Sequence, residues 1–242
     1  MMNAVFEQLA EALTYLGKKQ IITLQLGNLS IQFDKAAMIM SWIVIGLLTI
    51  LALFLRRALR QNIEDNPNRV QAAMDALIDL LQGQLTSSFS SEKLAIEMFP
   101  FISTLFLFVL FSNWLGIVPG LSSPTQNLNI TMGLALMVFA VSQILAMRAK
   151  GMKAYWKGYL EPMPFMLPLN IIGELSKPMS HAFRLFGNVL AGTILITVVM
   201  AKFAPIIVPS GLHLIFGLFF GGIQAFVFAI LAVAYINVAV ES

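Results

Sequence analysis

Five long apolar runs divide this 242-residue sequence into segments of membrane-spanning size. A helix needs about 20 mostly apolar residues to cross the roughly 30 Å of hydrocarbon in a bilayer. The runs cover residues 36–55, 98–118, 130–147, 167–200 and 212–240. The fourth run is too long for one simple crossing. The sequence therefore predicts an all-α membrane protein with about five membrane-crossing helical segments.

The composition argues against a soluble or secreted protein and against a catalytic site. Charged residues make up only 11% of the chain, whereas about 25% is usual for soluble domains. The absence of cysteine and the presence of only two histidines leave little for a disulfide framework or a metal centre. The sequence also has no phosphate-binding glycine loop and no nucleophile–base pair. We therefore expect no cofactor, no metal and no catalytic site in this chain.

Basic residues are distributed unevenly among the connections. Those at 56–93 and 148–157 hold nine lysines and arginines, whereas the N-terminal tail and the turn at 201–210 hold four. Cytoplasmic connections are enriched in these residues, so five crossings place the N-terminus outside and the C-terminus in the cytoplasm. We expect residues 1–35 to form an extracytoplasmic tail and 36–242 a single membrane domain. The tail lacks the pattern of a cleaved signal peptide.

Residues 70–89 follow a different pattern from the apolar runs. Apolar residues recur there at three- and four-residue spacing, and Asp75 and Asp79 lie four residues apart. This periodicity predicts an amphipathic helix at the cytoplasmic surface. A connector helix is its simplest role.

Polar residues interrupt the fourth run, and most of them fall on one side of a helix. Such a stripe faces protein or a water-filled cavity rather than lipid. Arg184 is the strongest outlier, because it cannot lose its charge and a charge near the bilayer centre costs about 3 kcal/mol or more. Glu174 lies about 15 Å away along a helix, so it is no obvious ion-pair partner. We therefore expect Arg184 to have a function. The polar residues are Asn170, Glu174, Lys177, His181, Arg184 and Asn188.

Two helical faces combine polar with small residues, which allow another backbone to approach closely. The first holds Arg184, Gly187, Asn188, Ala191 and Gly192. We favour a contact face for a partner there over tight packing within the chain. The second, in the last run, holds Gly217, Gly221, Gln224 and Phe228. On this face Gln224 is expected to form an interhelical hydrogen bond.

The stretch Arg184-Leu185-Phe186-Gly187-Asn188, preceded by Ser176-Lys177-Pro178 and followed by Ala191-Gly192, resembles subunit a of F-type ATP synthases. Further landmarks match in order: Asn113-Trp114-Leu115-Gly116 with Pro119-Gly120, Ser123-Pro124-Thr125, and Gln224-Ala225-Phe226. The resemblance covers about residues 36–240. The length and the tail are similar to those of bacterial members.

The resemblance implies a membrane stator beside a rotating ring of c subunits, each with an embedded carboxylate. Two offset half-channels would carry protons to and from the ring and so couple proton flow to ATP synthesis. Arg184 matches the family's essential arginine, which would favour the ionised ring carboxylate and block direct passage between the half-channels. Asn188 and Gln224 match polar positions flanking it. A long, tilted helical hairpin next to the ring would explain the long fourth run.

The resemblance also implies the setting of the chain. Its partners would be the c ring, the b subunits of the peripheral stalk and the rest of the synthase. Its location would be the bacterial plasma (inner) membrane, with lipid around it and no nucleic acid bound.

The sequence departs from the family pattern at positions that bear on the half-channels. Where many relatives carry an acid before the third crossing, this chain has Asn127, and Asn170, Thr193 and Gly217 stand where polar residues often line the outer half-channel. None of these residues can titrate. We assign the outer half-channel to Asn127, Asn170, Thr193, His213 and Gln224. Glu174 and His181 are candidates for the cytoplasmic half-channel.

Three other functions remain open at this stage. The scarcity of titratable channel residues makes sodium an alternative ion, since hard cations bind oxygen ligands. A secondary transporter could bind an anionic substrate at Arg184, but it would predict an internal repeat and broken helices, and no repeat is visible. A purely structural anchor would leave Arg184 unexplained.

Overall fold

The computed structural model describes residues 21–26, 29–60, 91–118, 121–160, 163–202 and 215–241, with scattered positions between 72 and 89. The elements are β1 (Ile21–Leu26), β2 (Leu29–Asp34), α1 (Lys35–Arg60), α2 (Glu92–Leu115), α3 (Leu128–Lys150), α4 (Met152–Gly158), α5 (Leu167–Lys202) and α6 (Gly221–Glu241). Single 3₁₀ turns at Pro124–Gln126 and Pro164–Met166 precede α3 and α5, and a π-helix at Ile215–Phe220 leads into α6.

Four segments of the described chain are long and apolar enough to cross a membrane. They are Lys35–Arg57, Glu92–Leu115, Leu128–Lys150 and Gly217–Glu241. The fifth predicted crossing falls on α5 (Leu167–Lys202). The expectation of an all-α membrane protein is confirmed for the described residues after 34.

α5 is a continuous helix of 36 residues, which corresponds to a length of about 54 Å. A helix that exceeds the hydrocarbon thickness to this degree has to tilt or to continue into water. Pro178 lies inside it and removes one backbone hydrogen bond from the first half. The connection from α5 to the π-helix, at 203–214, is outside the described residues, and His213 lies within it.

The expected tail at 1–35 contains one structured feature among its described residues, a two-stranded antiparallel hairpin. Ile21 pairs with Asp34, and the register continues to Leu26 opposite Leu29. The sequence analysis predicted no strand there. The hairpin leads directly into α1, because Asp34 ends β2 and Lys35 begins the helix.

The core forms around α6, which packs against α2, α3 and α5. Small side chains such as Ala225 and Ala232 are fully buried and let the neighbouring backbones approach closely. Phe228 fills the centre at 0% exposure. α1 is peripheral: Val44 is buried, whereas Trp42 is 67% exposed. Such exposed apolar surface is expected where the surroundings are lipid rather than water.

The predicted amphipathic helix at 70–89 lies mostly outside the described residues. Its described positions between 72 and 83 are helical and exposed, including Asp75 and Asp79. Phe89 follows them and is buried in the core.

Candidate functional site

Arg184 lies at the middle of α5 with its side chain exposed. It is the eighteenth of the 36 residues of the helix, so about 25 Å of helix extends on either side. Its neighbours Ala182 and Leu185 are fully buried at 0% exposure, which turns Arg184 away from the core. Among the residues that the structure describes, its guanidinium has no hydrogen-bond or ion-pair partner.

Asn188, one helical turn beyond Arg184, links α5 to α6. Its Nδ2 donates a hydrogen bond to Oε1 of Gln224 over 2.5 Å. Gln224 is buried at 6% exposure, and its Nε2 has no partner among the described residues. The predicted interhelical hydrogen bond of Gln224 is therefore present, and its partner is the residue beside the exposed arginine.

A cavity of about 750 Å³ opens between α5 and α6 beyond Asn188. We call it the α5–α6 cavity. The side chains in its lining include amides and hydroxyls but none that can titrate. The lining consists of Asn113, Gly116, Ile117, Leu121, Ser122, Ser123, Gln126, Asn188, Val189, Ala191, Gly192, Thr193, Leu195, Gly217, Phe220, Gly221, Ile223 and Gln224.

The 3₁₀ turn before α3 closes one side of this cavity through hydrogen bonds. Gln126 Nε2 donates to Thr193 Oγ1 over 3.0 Å and so ties the turn to α5. Thr125 Oγ1 donates to Asn113 Oδ1 over 2.7 Å, and Asn113 Nδ2 donates to the Gly221 carbonyl over 2.9 Å. A buried polar chain thus joins α2, the turn and the start of α6.

His181 lies one turn before Arg184 but faces inward. It is 1% exposed, its Nε2 lies 3.1 Å from the Phe228 carbonyl, and its ring stacks on Phe228 at 3.8 Å between centroids. Tyr235 meets the same ring edge-on. The polar stripe predicted on α5 therefore divides into a buried histidine that packs against α6 and an exposed arginine.

Glu174 belongs to a second polar group, near the start of α5, which we call the Glu174 cluster: Gln143, Tyr155, Tyr159, Glu174 and Lys177. Glu174 forms an ion pair with Lys177 and accepts a hydrogen bond from Gln143 Nε2 over 3.1 Å. Tyr155 donates to Gln143 Oε1 over 2.6 Å. Burial and the hydrogen bond with Tyr155 raise the pKa of the Tyr159 phenol, so this group stays protonated.

The structure separates residues that the sequence interpretation had grouped. Asn188, Thr193 and Gln224 line the α5–α6 cavity. Asn127 is one residue beyond the lining and is buried at 6% exposure. Asn170 instead donates to the Tyr159 carbonyl over 2.9 Å beside the Glu174 cluster. It lies about 35 Å from Thr193 along α5, so the grouping of these two residues needs correction.

Several polar residues around these sites had not been assigned to a site from the sequence. Gln126 and Asn113 help to form the α5–α6 cavity, and Gln143 joins α3 to Glu174. Gln143 had a usable signal, because an amide inside the apolar run 130–147 needs a partner in the membrane.

The glycines distinguish an open face from a packed one. A Cβ at Gly187 would meet nothing within 4 Å, so the face that carries Arg184 is open in this chain. A Cβ at Gly217 would lie 2.2 Å from Ile117 Cγ1, and one at Gly221 would lie 3.1 Å from Asn113 Cβ. The second small-residue face therefore packs within the chain.

Comparison with known proteins adds the family to this geometry. The family model described as ATP synthase A chain matches residues 38–237. The chain belongs to this family. Its members form the stator part of the membrane sector, and the four apolar segments agree with a multi-pass membrane protein.

Individual relatives show the same similarity over most of the chain. ATP synthase subunit a 2 of Picosynechococcus sp. is 38% identical over 204 residues, which cover 84% of each chain. ATP synthase subunit a 2 of Acaryochloris marina is 36% identical over 85% of each chain. ATP synthase subunit a of Desulforamulus reducens is 34% identical over 86% of this chain and 80% of its own.

Proposed function

We propose that this chain provides two offset half-channels that carry protons to and from a rotating c ring and so couple proton flow to ATP synthesis. The observation that carries the proposal is the exposed Arg184 at the middle of a long helix, with no partner among the described residues. A charge in that position is costly unless a partner outside this chain offsets it. A carboxylate on the c ring is such a partner.

Arg184 acts in this mechanism through its permanent charge. A guanidinium close to a ring carboxylate favours the ionised form, so the proton leaves before the carboxylate passes the arginine. The same charge repels a proton that would move directly from one half-channel to the other. The exposed position of Arg184 and the open face at Gly187 support a ring helix docking there.

The α5–α6 cavity serves as the outer half-channel in this proposal. It reaches Asn188, one turn from Arg184. The amides and hydroxyls of its lining can form hydrogen bonds with a passing ion or its water molecules. Gln224 and Thr193 contribute to it, and Asn127 stands at its rim beside Gln126. His213, outside the described residues, stays a candidate on the basis of sequence alone.

The Glu174 cluster serves as the cytoplasmic half-channel. It lies at the opposite end of α5 from the cavity, so the two paths reach the ring at offset heights. Glu174 is its titratable carboxylate, and Asn170 lies beside it. His181 is between the two groups, but its packing on Phe228 favours a structural role.

The distribution of basic residues supports the orientation of the cavity towards the outside. Arg56 and Arg57 end the α1 span, and α3 and the following helix carry a second basic group at the end away from the cavity: Arg148, Lys150, Lys153 and Lys157. Lys35 is at the cavity end. By the positive-inside rule the Glu174 cluster then faces the cytoplasm. The N-terminus is outside and the C-terminus inside, and the connection at 60–95 is available to the b subunits.

The test is ATP-driven acidification of inverted membrane vesicles in sodium-free buffer. We expect the native chain to acidify the vesicles and Arg184→Ala to abolish acidification. Arg148→Ala is a matched control, because this arginine is also exposed but lies at the end of α3. If Arg184→Ala pumps as well as the native chain, Arg184 has a structural role and the mechanism is wrong.

Sodium is a second candidate ion because the described lining of the α5–α6 cavity offers many oxygens and no titratable side chain. Hard cations prefer such ligands. If sodium is the ion, inverted vesicles in sodium-free buffer will not acidify. They will instead take up radioactive sodium during ATP hydrolysis, and a protonophore will increase rather than abolish this uptake.

A further inference from the structure

Asp34 connects three elements at the end of the bundle where the α5–α6 cavity lies. Its Oδ1 accepts hydrogen bonds from the backbone N–H groups of Ala36 at 3.1 Å and Ala37 at 3.4 Å, which caps the start of α1. Its Oδ2 accepts a hydrogen bond from Asn127 Nδ2 over 2.9 Å. The carboxylate is therefore held in place from two sides and remains partly accessible.

The Asp34–Asn127 hydrogen bond places a carboxylate beside the loop that forms the wall of the cavity. Asn127 directly follows Gln126, which lines the cavity and donates to Thr193 on α5. Asn127 also uses its Oδ1 to accept from the Asn129 backbone N–H at 3.0 Å, so its amide is fixed. The loop, the cavity wall and the carboxylate therefore form one hydrogen-bonded unit.

Asp34 is distinguished by the absence of other acids at this end among the described residues. The remaining described acids lie at the start of α2, on the stretch before it, in the Glu174 cluster and at the far end of α6. They are Asp75, Asp79, Glu92, Glu97, Glu174 and Glu241. The cavity lining itself contains no titratable group.

We propose that Asp34 is the proton-collecting group of the outer half-channel, although it comes from the N-terminal hairpin rather than from the helices that line the cavity. Its carboxylate takes up a proton from the outer solution and releases the same proton into the cavity. This role rests on the proposed function. Lys35, the first residue of α1, is the charged neighbour of Asp34, whereas β1, the rest of β2, the 3₁₀ turn and the first turn of α3 contain no ionisable residue.

The test is ATP synthesis by inverted vesicles at different internal pH values, driven by a fixed potassium diffusion potential. In such vesicles the cavity opens to the interior. Asp34→Asn retains an oxygen that can cap α1, but it removes the charge and the acceptor of the hydrogen bond from Asn127 Nδ2. We expect this variant to synthesise ATP at the native rate when the internal pH is low. As the internal pH is raised, its rate should decline at a pH about one unit below the pH at which the native rate declines, because a charged site concentrates counter-ions by about tenfold or more.

Two further variants separate the charge of Asp34 from its structural contacts. Asn127→Asp in the Asp34→Asn background moves the carboxylate across the same 2.9 Å hydrogen bond, and we expect it to restore the native pH profile. Asp34→Glu keeps a carboxylate but alters the cap of α1. We expect the complexes that assemble with this variant to show the native dependence of ATP synthesis on internal pH.

The outcomes distinguish this inference from the proposed function. Unchanged pH dependence in Asp34→Asn, an equal loss at every pH, or failure of Asn127→Asp to restore the profile would each overturn the role of Asp34. Arg184→Ala in the same vesicles reports on the proposed function. If that variant still synthesises ATP, the half-channel mechanism itself fails.

Discussion

At the scale of single residues, His181 and Arg184 are three positions apart on α5 and have opposite surroundings. His181 is packed at 1% exposure, so His181→Ala leaves a void and we expect a loss of about 3 kcal/mol in the free energy of unfolding. Acidification per assembled complex should stay near native. Thermal unfolding of the detergent-purified chain and vesicle assays normalised to bound subunit measure the two effects.

Arg184→Ala provides the converse comparison. Because the described residues offer its guanidinium no partner, the unfolding temperature should hardly change while acidification is lost. A His181→Ala chain that is stable but does not pump would instead place the imidazole in the ion path.

The sequence predicted that Arg184 has a function and that its helix carries a polar stripe, because a permanent charge within an apolar run is energetically costly in a membrane. It did not separate the two sides of the stripe, because three- and four-residue spacing covers an arc wide enough to include both buried His181 and exposed Arg184. The hydrogen bond from Asn188 to Gln224 needed the packing of α6 to become visible.

At the scale of helices, the two small-residue faces predict opposite mutant behaviour. Gly217→Ala would bring a Cβ to 2.2 Å from Ile117 Cγ1, so we expect a loss of about 1–3 kcal/mol in the stability of the isolated chain. Gly187→Ala meets open space and should stabilise the isolated helix by about 0.5–1 kcal/mol. Chemical or thermal unfolding of the two purified variants tests both expectations.

The same glycine also reports on the partner face. Gly187→Leu should leave the isolated chain folded but reduce the amount of c subunit that copurifies with it, because a large side chain keeps the ring helix at a distance. Undiminished copurification and pumping would show that the face at Gly187 does not contact the ring.

The buried polar chain across α2, the 3₁₀ turn and α6 can be tested with an isosteric change. Thr125→Val removes the donor to Asn113 Oδ1, and we expect a loss of about 1–3 kcal/mol because a buried acceptor is left unsatisfied. Thr104→Val is a matched control, since that hydroxyl is exposed and bonds only the Pro100 carbonyl of its own helix. Equal unfolding temperatures for the two variants would contradict a structural role for these buried hydrogen bonds.

The membrane-spanning helices were readily predicted from the sequence. A run of about 20 apolar residues in a bilayer has to satisfy its own backbone hydrogen bonds, and a helix does so. The hairpin at 21–34 was not predicted, since strands of only six residues carry a weak signal in the sequence. The assignment of Asn170 and Thr193 to the same half-channel did not take the length of α5 into account. The two residues are 23 positions apart on this helix, which places them about 35 Å apart. That distance is what assigns them to opposite ends of the molecule.

At the scale of the whole molecule, the proposed orientation requires that α5 crosses the membrane in addition to the four apolar segments. The chain contains no cysteine, so single cysteines can be introduced without a background signal. Exposed positions are available at both ends of the bundle: Lys35 at the start of α1, Lys153 on α4 and Glu241 at the end of α6. Each can be labelled with a membrane-impermeant maleimide.

Five crossings place Lys35→Cys on the outer side and both Lys153→Cys and Glu241→Cys in the cytoplasm. We therefore expect right-side-out vesicles to label only Lys35→Cys, and inverted vesicles to label only the other two variants. The native chain gives the zero level in both preparations. Labelling of Lys35→Cys and Glu241→Cys from the same side would mean an even number of crossings. α5 would then not span the bilayer, and Arg184 could not lie between two half-channels that open on opposite sides.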